Sequence, residues 1–264
     1  MNPLSGTVLV TGATGGIGQA LARAVRARGV DLIVTGRRSE VLEPLAAELE
    51  ARPIACDLSS RGDVERLVSE VGQVDVLISN AGVPAGGMLV ELGQEEIDRA
   101  LEINLRAPIA LARGLAPGMV ARRSGHIVFV SSLQGKAATP DASVYCAAKF
   151  GLRGFALALR QDLRRYEVGV SVVLPGFISD AGMFADSGAR LPVGVGTRSP
   201  EDVARAVISA IKRDRAEVEV APLGLRLGTA VAAVAPGFAA SVSRRLGSER
   251  IAARIVAGQG AHRH

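Results

Sequence analysis

Tryptophan is absent from this 264-residue chain, and tyrosine and cysteine occur twice each and histidine three times. Few side chains are therefore left for metal or thiol chemistry. Cys56 and Cys146 sit in apolar stretches without metal-ligand spacing, and they read as small core residues rather than a disulfide. His126 precedes a predicted strand while His262 and His264 lie in a tail, so no ligand cluster and no metal are expected. Lysine is scarce as well. Lys136, Lys149 and Lys212 are the only three, and the other basic residues are arginines scattered among acids. The net charge of +5 and pI near 9.8 thus reflect composition rather than a basic stripe, and no nucleic-acid partner is expected.

The amino terminus, MNPLSGTVLVTG, lacks a basic segment followed by a long apolar run, so no signal peptide and a cytoplasmic protein are expected. With 48% hydrophobic and 22% charged residues, the chain has globular composition and enough length to bury a substantial core. No Pro-, Ser- or Gly-rich linker, repeat or low-complexity segment divides it, which predicts a single domain.

Short β-rich runs are predicted at 7–11, 31–35, 53–57, 75–80, 126–131, 168–174 and 217–221, with helical periodicity between them at 17–29, 60–72, 95–119 and 143–167. Gly29, Gly72 and Gly169 fall where helices need a left-handed stop. Runs such as HIVFV and VSVVL are apolar almost throughout, which suits parallel strands buried on both faces. The fold class is therefore α/β, a Rossmann-like doubly wound parallel sheet. Residues 1–221 hold the alternating pattern; residues 222–264 form a C-terminal helical extension and tail of the same domain.

The run TGATGGIG follows the first strand and opens the first helix, the context a pyrophosphate-binding turn requires. Gly12 permits the tight turn, Gly16 lets backbone approach the pyrophosphate, and Gly18 lets the helix pack close to the sheet, its first amides aimed at the anion. After strand two the chain reads VTGRRSE, with no acid at Thr35 or Gly36 to receive a ribose 2′-hydroxyl. Arg37 and Arg38 follow instead. A guanidinium pairs with a 2′-phosphate, so the expected cofactor is NADP(H).

Tyr145 and Lys149 lie four apart on a predicted helix and so share a face. A nearby ammonium, with an oxidised nicotinamide, favours the phenolate, making Tyr145 a general base for alcohol oxidation or an acid for ketone reduction. Ser132 stands at the carboxyl end of the fifth strand, where doubly wound folds bind ligands, and its hydroxyl suits a developing oxyanion. In a chain with two tyrosines, one at this spacing is telling.

These motifs, in this order over about residues 7–221, resemble the short-chain dehydrogenase/reductase family. The resemblance implies cofactor contacts from Gly12, Thr14, Gly16, Ile17 and Gly18, from Asp57 and Leu58 towards adenine, and from Asn80, Ala81 and Gly82, where serine precedes in place of the usual first asparagine. It also implies a tetrad of Ser132, Tyr145, Lys149 and Asn104, the last supporting a proton relay through water to the lysine. Tyr145, Lys149, Pro175, Gly176 and Ile178 would border the nicotinamide. One departure stands out: PGFISD puts Asp180 where a threonine often contacts the carboxamide. A homodimer or homotetramer is a further implication.

The resulting expectation is an NADP-dependent oxidoreductase acting on CH-OH groups, interconverting a ketone or aldehyde and its alcohol. A non-catalytic NADP(H)-binding sensor and an epimerase or dehydratase relative are the alternatives. The stretch from Gly176 to Ser199 is the longest predicted loop and is expected to cover the site. Its Phe177, Ile178, Met183, Phe184, Leu191 and Val193 point to a bulky apolar substrate, with Ser132, Gln134, Phe177, Met183 and Phe184 as its contacts. Residues 227–243 carry no charge, yet are too short and too interrupted by Pro236 and Gly237 for a membrane span. They are expected over the substrate pocket or against another subunit; a helix pair lying on a membrane, with Arg226, Arg244 and Arg245 at the headgroups, is the alternative.

Overall fold

The computed structural model describes residues 4–180, 182–188, 195–245 and 248–260; Leu191, Val193, His262 and His264 lie outside the described residues. The strands are β1 (Thr7–Thr11), β2 (Asp31–Gly36), β3 (Arg52–Ala55), β4 (Val76–Ser79), β5 (His126–Val130), β6 (Gly169–Pro175) and β7 (Glu217–Val220). Each coincides with a predicted run. They build one parallel sheet in the order β3-β2-β1-β4-β5-β6-β7, so the direction of growth reverses between β1 and β4. Ligands bind such sheets at the carboxyl edge beside that reversal.

The helices are α1 (Gly16–Arg26), α2 (Ser39–Leu49), α3 (Arg61–Glu70), α4 (Gln94–Leu101), α5 (Ala107–Arg122), α6 (Ser143–Leu163), α7 (Met183–Asp186), α8 (Pro200–Lys212), α9 (Leu223–Val234), α10 (Pro236–Arg245) and α11 (Ser248–Gly260). A π-helical turn, Glu102–Arg106, joins α4 to α5. Strand residues alternate between two cores. Val8 and Val10 pack with Leu21 of α1 and Val203 of α8, whereas Leu9 packs with Phe129, Leu111 of α5 and Leu152 of α6. Burial on both faces is why the strand sequences are apolar throughout, each such side chain contributing roughly 1.5–3 kcal/mol.

Two of the three predicted glycine stops hold. Gly29 and Gly72 have φ of +76° and +69° just beyond α1 and α3. Gly169 does not: it opens β6, and the left-handed residue is Glu167, at φ +59°. Gly169 serves packing instead, since a Cβ there would lie 2.2 Å from Nδ1 of His126.

The C-terminal extension packs on the core through one side of α9. Leu225 packs on the core and Thr229 is buried, but Leu223, Leu227, Val231 and Val234 on the opposite side of α9 are exposed, as are Phe238 and Val242 of α10. Among the described residues, no helix is long and apolar enough to cross a membrane.

Candidate active site

At the end of β1 the chain turns sharply into α1. Gly12 has φ +67°, and a Cβ on it would sit 2.7 Å from Cα of Ala81. A Cβ on Gly18 would lie 2.0 Å from the carbonyl oxygen of Gly12, so α1 closes on its own turn as only glycine permits. No acid occupies the first turn of α1, which leaves the positive end of its dipole free for an anion. The turn is held from behind. Thr11 Oγ1 accepts from the backbone N–H groups of Asn80 (3.0 Å) and Ala81 (3.2 Å), and Asn80 Nδ2 donates to the Thr11 carbonyl at 3.1 Å. Asn80 and Ala81 thus tie the ends of β1 and β4 together, with the side chain of Asn80 directed at the turn.

The missing acid after β2 has a steric cause. A Cβ on Gly36 would lie 2.6 Å from Cγ2 of Thr14, so no carboxylate fits there. Beyond it, Arg38 donates to the Thr14 carbonyl at 2.5 Å and so braces the glycine turn. Arg37 is exposed and has no hydrogen-bond or ion-pair partner among the described residues. Asp57 accepts from the Ser59 N–H and hydroxyl at 2.9 and 2.8 Å, both on Oδ1. Burial opposes its charge, but these bonds and the charges of Arg37 and Arg99 prevail and hold its pKa below the ordinary value. Leu58 beside it is buried.

Ser132 follows β5, its Oγ accepting from the Gln134 N–H at 3.1 Å and lying on the side of Tyr145, whose ionisation it favours. Tyr145 is half-buried in the first turns of α6. One turn on, Lys149 is 2% exposed, with Nζ 5.6 Å from the Tyr145 ring centre and, among the described residues, a single 3.3 Å hydrogen bond, to the Val130 carbonyl. In the chain without cofactor, burial pushes Tyr145 up to about 12 against the pull of Ser132, and burial brings Lys149 down to about 8. Desolvation outweighs their mutual effect, and Tyr145 is a neutral proton donor at pH 7.

Asn104 is fully buried in the π-helical turn. Its Nδ2 donates to the Val83 carbonyl at 2.9 Å and its Oδ1 accepts from the Val83 N–H at 3.2 Å, so both ends of the side chain are spent on one backbone residue. Four residues on stands Pro108, which has no N–H, so the Asn104 carbonyl lacks its α-helical donor. A Cβ on Gly82 would lie 2.9 Å from Asn104 Oδ1 and 3.5 Å from both Lys149 Nζ and Met183 Cε. Those three side chains converge there.

The segment after β6 returns over this edge. Gly176 donates to the Val220 carbonyl at 3.0 Å, and an isolated bridge pairs Ile178 with Arg198 through Ser179 N–H to Arg198 O (2.9 Å) and Arg198 N–H to Phe177 O (3.0 Å). The bridge leaves the amide and carbonyl of Ile178 itself unused. Asp180 is exposed at φ +63°, and a Cβ on Gly182 would lie 3.5 Å from Cδ1 of Ile17, which brings the segment against the glycine turn. The rings of Phe177 and Phe184 pack with centres 5.0 Å apart and planes tilted by 56°. Gln134, expected at substrate, has its amide hydrogen-bonded to Thr139.

A dinucleotide fits this edge. An anion-ready helix end, an Arg37 unpaired among the described residues, an Asp57 with Oδ2 outside the Ser59 bonds and a buried ammonium with most of its donors unspent follow the ends of the strands from β3 to β5. The sequence alone did not reveal what positions the ammonium. Ser131 Oγ donates to the Lys149 carbonyl, and Gly135 lies so close that a Cβ would be 2.6 Å from that oxygen. The Ser131-Ser132 doublet was the only available signal.

Residues 6–191 match the family described as short chain dehydrogenase. The dehydrogenase/reductase SDR family member 7B of Bos taurus is 35% identical over 254 residues, covering 88% of this chain and 78% of that protein. A Nostoc protein named ketoacyl reductase HetN is 37% identical over 230 residues, covering 83% and 80%. Among solved structures, an actinorhodin polyketide ketoreductase variant with NADPH superposes with a TM-score of 0.75 at 32% identity, covering 83% of this chain and 97% of that one.

Proposed function

The chain belongs to the short-chain dehydrogenase/reductase family, and on that premise we propose that it interconverts bulky, largely apolar ketones and their alcohols using NADP(H). The observation that carries this reading is the buried Lys149 ammonium, with one hydrogen bond among the described residues, 5.6 Å from the ring centre of a half-buried Tyr145. A charge so poorly satisfied is costly unless a ligand supplies acceptors. Ribose hydroxyls beside a nicotinamide have that chemistry.

Gly12, Thr14, Gly16, Ile17 and Gly18 hold the pyrophosphate, Asp57 and Leu58 border adenine, and Arg37 takes the 2′-phosphate. When bound, the cofactor supplies hydride to the carbonyl carbon or removes it from the alcohol. Ser132 and Tyr145 both donate hydrogen bonds to the carbonyl oxygen, and Tyr145 passes its proton there as negative charge develops. Burial keeps Tyr145 protonated at neutral pH, the form that ketone reduction needs. Lys149 holds the ribose and stabilises the phenolate left behind. Asn104 acts through backbone: its side chain fixes Val83, and its carbonyl, freed by Pro108, holds a water that returns the proton towards Lys149. Ile178 offers its backbone to the carboxamide, with Asp180 turned to solvent.

NADPH oxidation followed with a panel of ketones tests the proposal. Turnover of large apolar ketones is expected, whereas tight NADPH binding with no turnover of any carbonyl compound would make the chain a sensor.

A further inference from the structure

Helix α9 is apolar on two sides. Leu225 packs on the core and Thr229 is buried, while Leu223, Leu227, Val231 and Val234, at helical spacing on the other side, have no covering. Leu227 is 60% exposed and Val234 87%, and on α10 Phe238 is 66% exposed. Exposed apolar groups in this number, on two successive helices, mark a contact surface.

The charges around it select the partner. Between Glu219 and Glu249 no acidic residue occurs, and the charged residues of that interval are Arg226, Arg244 and Arg245, all exposed; Arg226 is ion-paired with Glu219 at 3.3 Å, which leaves Arg244 and Arg245 at the end of α10. Arg244 and Arg245 at the end of an apolar helix pair that contains no acid match an interface of acyl chains beneath anionic headgroups. A second copy of the same two helices would bring no acid to pair with Arg244 and Arg245. We propose that α9 and α10 form a docking surface for anionic lipid bilayers, lying in the interface without crossing it.

The location gives the surface a use. α9 begins three residues after β7, whose end is joined to Gly176 by the Gly176 N–H to Val220 O bond, so docking brings the carboxyl edge of the sheet towards lipid. Delivery of an apolar ketone from the bilayer rests on the proposed function; the docking itself does not.

Flotation of the purified full chain with phosphatidylcholine vesicles, with and without phosphatidylglycerol, is the test. The chain should float with the anionic vesicles, less at high salt, and Leu227→Asp with Val231→Asp should weaken the partition by at least ~10-fold. Arg244→Glu with Arg245→Glu should remove the preference for phosphatidylglycerol. These positions are exposed and outside the active site, so NADPH-dependent turnover of a water-soluble ketone should be unchanged, which separates failure of docking from failure of the catalytic reading. Wild type that stays in buffer with every vesicle, or the Asp pair floating like wild type, overturns the proposal. It is equally overturned if light scattering shows that the Asp pair only splits an oligomer while vesicles are ignored.

Discussion

Ser131 Oγ donates a 3.0 Å hydrogen bond to the backbone carbonyl of Lys149, so the end of β5 fixes the turn of α6 that carries the buried ammonium. Gly135 closes the same contact from the other side. The lysine is thus positioned through its backbone as well as through its own Nζ.

Gly135→Ala places a methyl 2.6 Å from the Lys149 carbonyl, and that turn must move. Small displacements of positioned groups cost up to ~100-fold in rate, so kcat should fall steeply while the fold survives an overpacking penalty of roughly 1–3 kcal/mol. Ser131→Ala removes one hydrogen bond and should cost only about 1 kcal/mol in urea denaturation. Equal kcat in Gly135→Ala and wild type would show that the contact does not position Lys149.

Tyr145→Phe keeps the ring but deletes the proton passed to the carbonyl oxygen, and turnover should drop by at least ~100-fold. NADPH affinity, read from the fluorescence of the nicotinamide or from calorimetry, should barely change. Substantial residual turnover would remove Tyr145 from the mechanism.

The two arginines after β2 should behave differently. Arg37 has no hydrogen-bond or ion-pair partner among the described residues, so Arg37→Asp should shift preference from NADPH towards NADH in kcat/KM. Arg38 braces the Thr14 carbonyl, so Arg38→Ala should weaken both cofactors alike. A wild type that already prefers NADH would refute the 2′-phosphate assignment.

What could be read from the sequence was local. Strand runs, the glycine turn and the four-residue spacing of Tyr145 and Lys149 are periodicities or short motifs, and each appears where expected. Contacts between distant residues were hidden: Ser131 meets Lys149 across 18 positions, and His126 meets Ser171 across 45. The stop expected at Gly169 failed for that reason, since its glycine answers to the His126 ring rather than to a helix end. The outward face of α9 was equally illegible, because an apolar stripe reads the same whether packed or bare.

His126 offers a stability test. Its Nε2 lies 2.8 Å from Ser171 Oγ, which itself donates to the Arg215 carbonyl, so the ring donates to the serine from its neutral form. Burial lowers its pKa to about 4 from the ordinary 6.5; Asp214 opposes this and Arg160 adds to it. The unfolded chain takes up this proton first. The contribution is therefore complete above about pH 6.5 and lost as pH falls towards 4, amounting to roughly 3 kcal/mol. His126→Gln should show a correspondingly flatter acid limb in urea titrations, and parallel limbs for the two proteins would dismiss the histidine as its source.

Substrate size is the remaining expectation. Met183 reaches within contact of the Gly82 floor beside Lys149, Phe177 and Phe184 pack together next to it, and exposed Met88, Leu89 and Val90 lie in the segment that follows β4 at the same sheet edge. Apolar walls with few polar groups favour acyl, steroid-like or polyketide-like ketones over polyols, whose hydroxyls would lose water without finding partners. Each further methylene buried in such a site is worth about 0.8 kcal/mol, so kcat/KM should climb severalfold per added carbon in a homologous ketone series until the pocket is filled. Met183→Asp should flatten that climb without altering NADPH affinity. A flat series in wild type, or preference for hydroxylated sugars, would mean that these side chains only anchor the segment to the core.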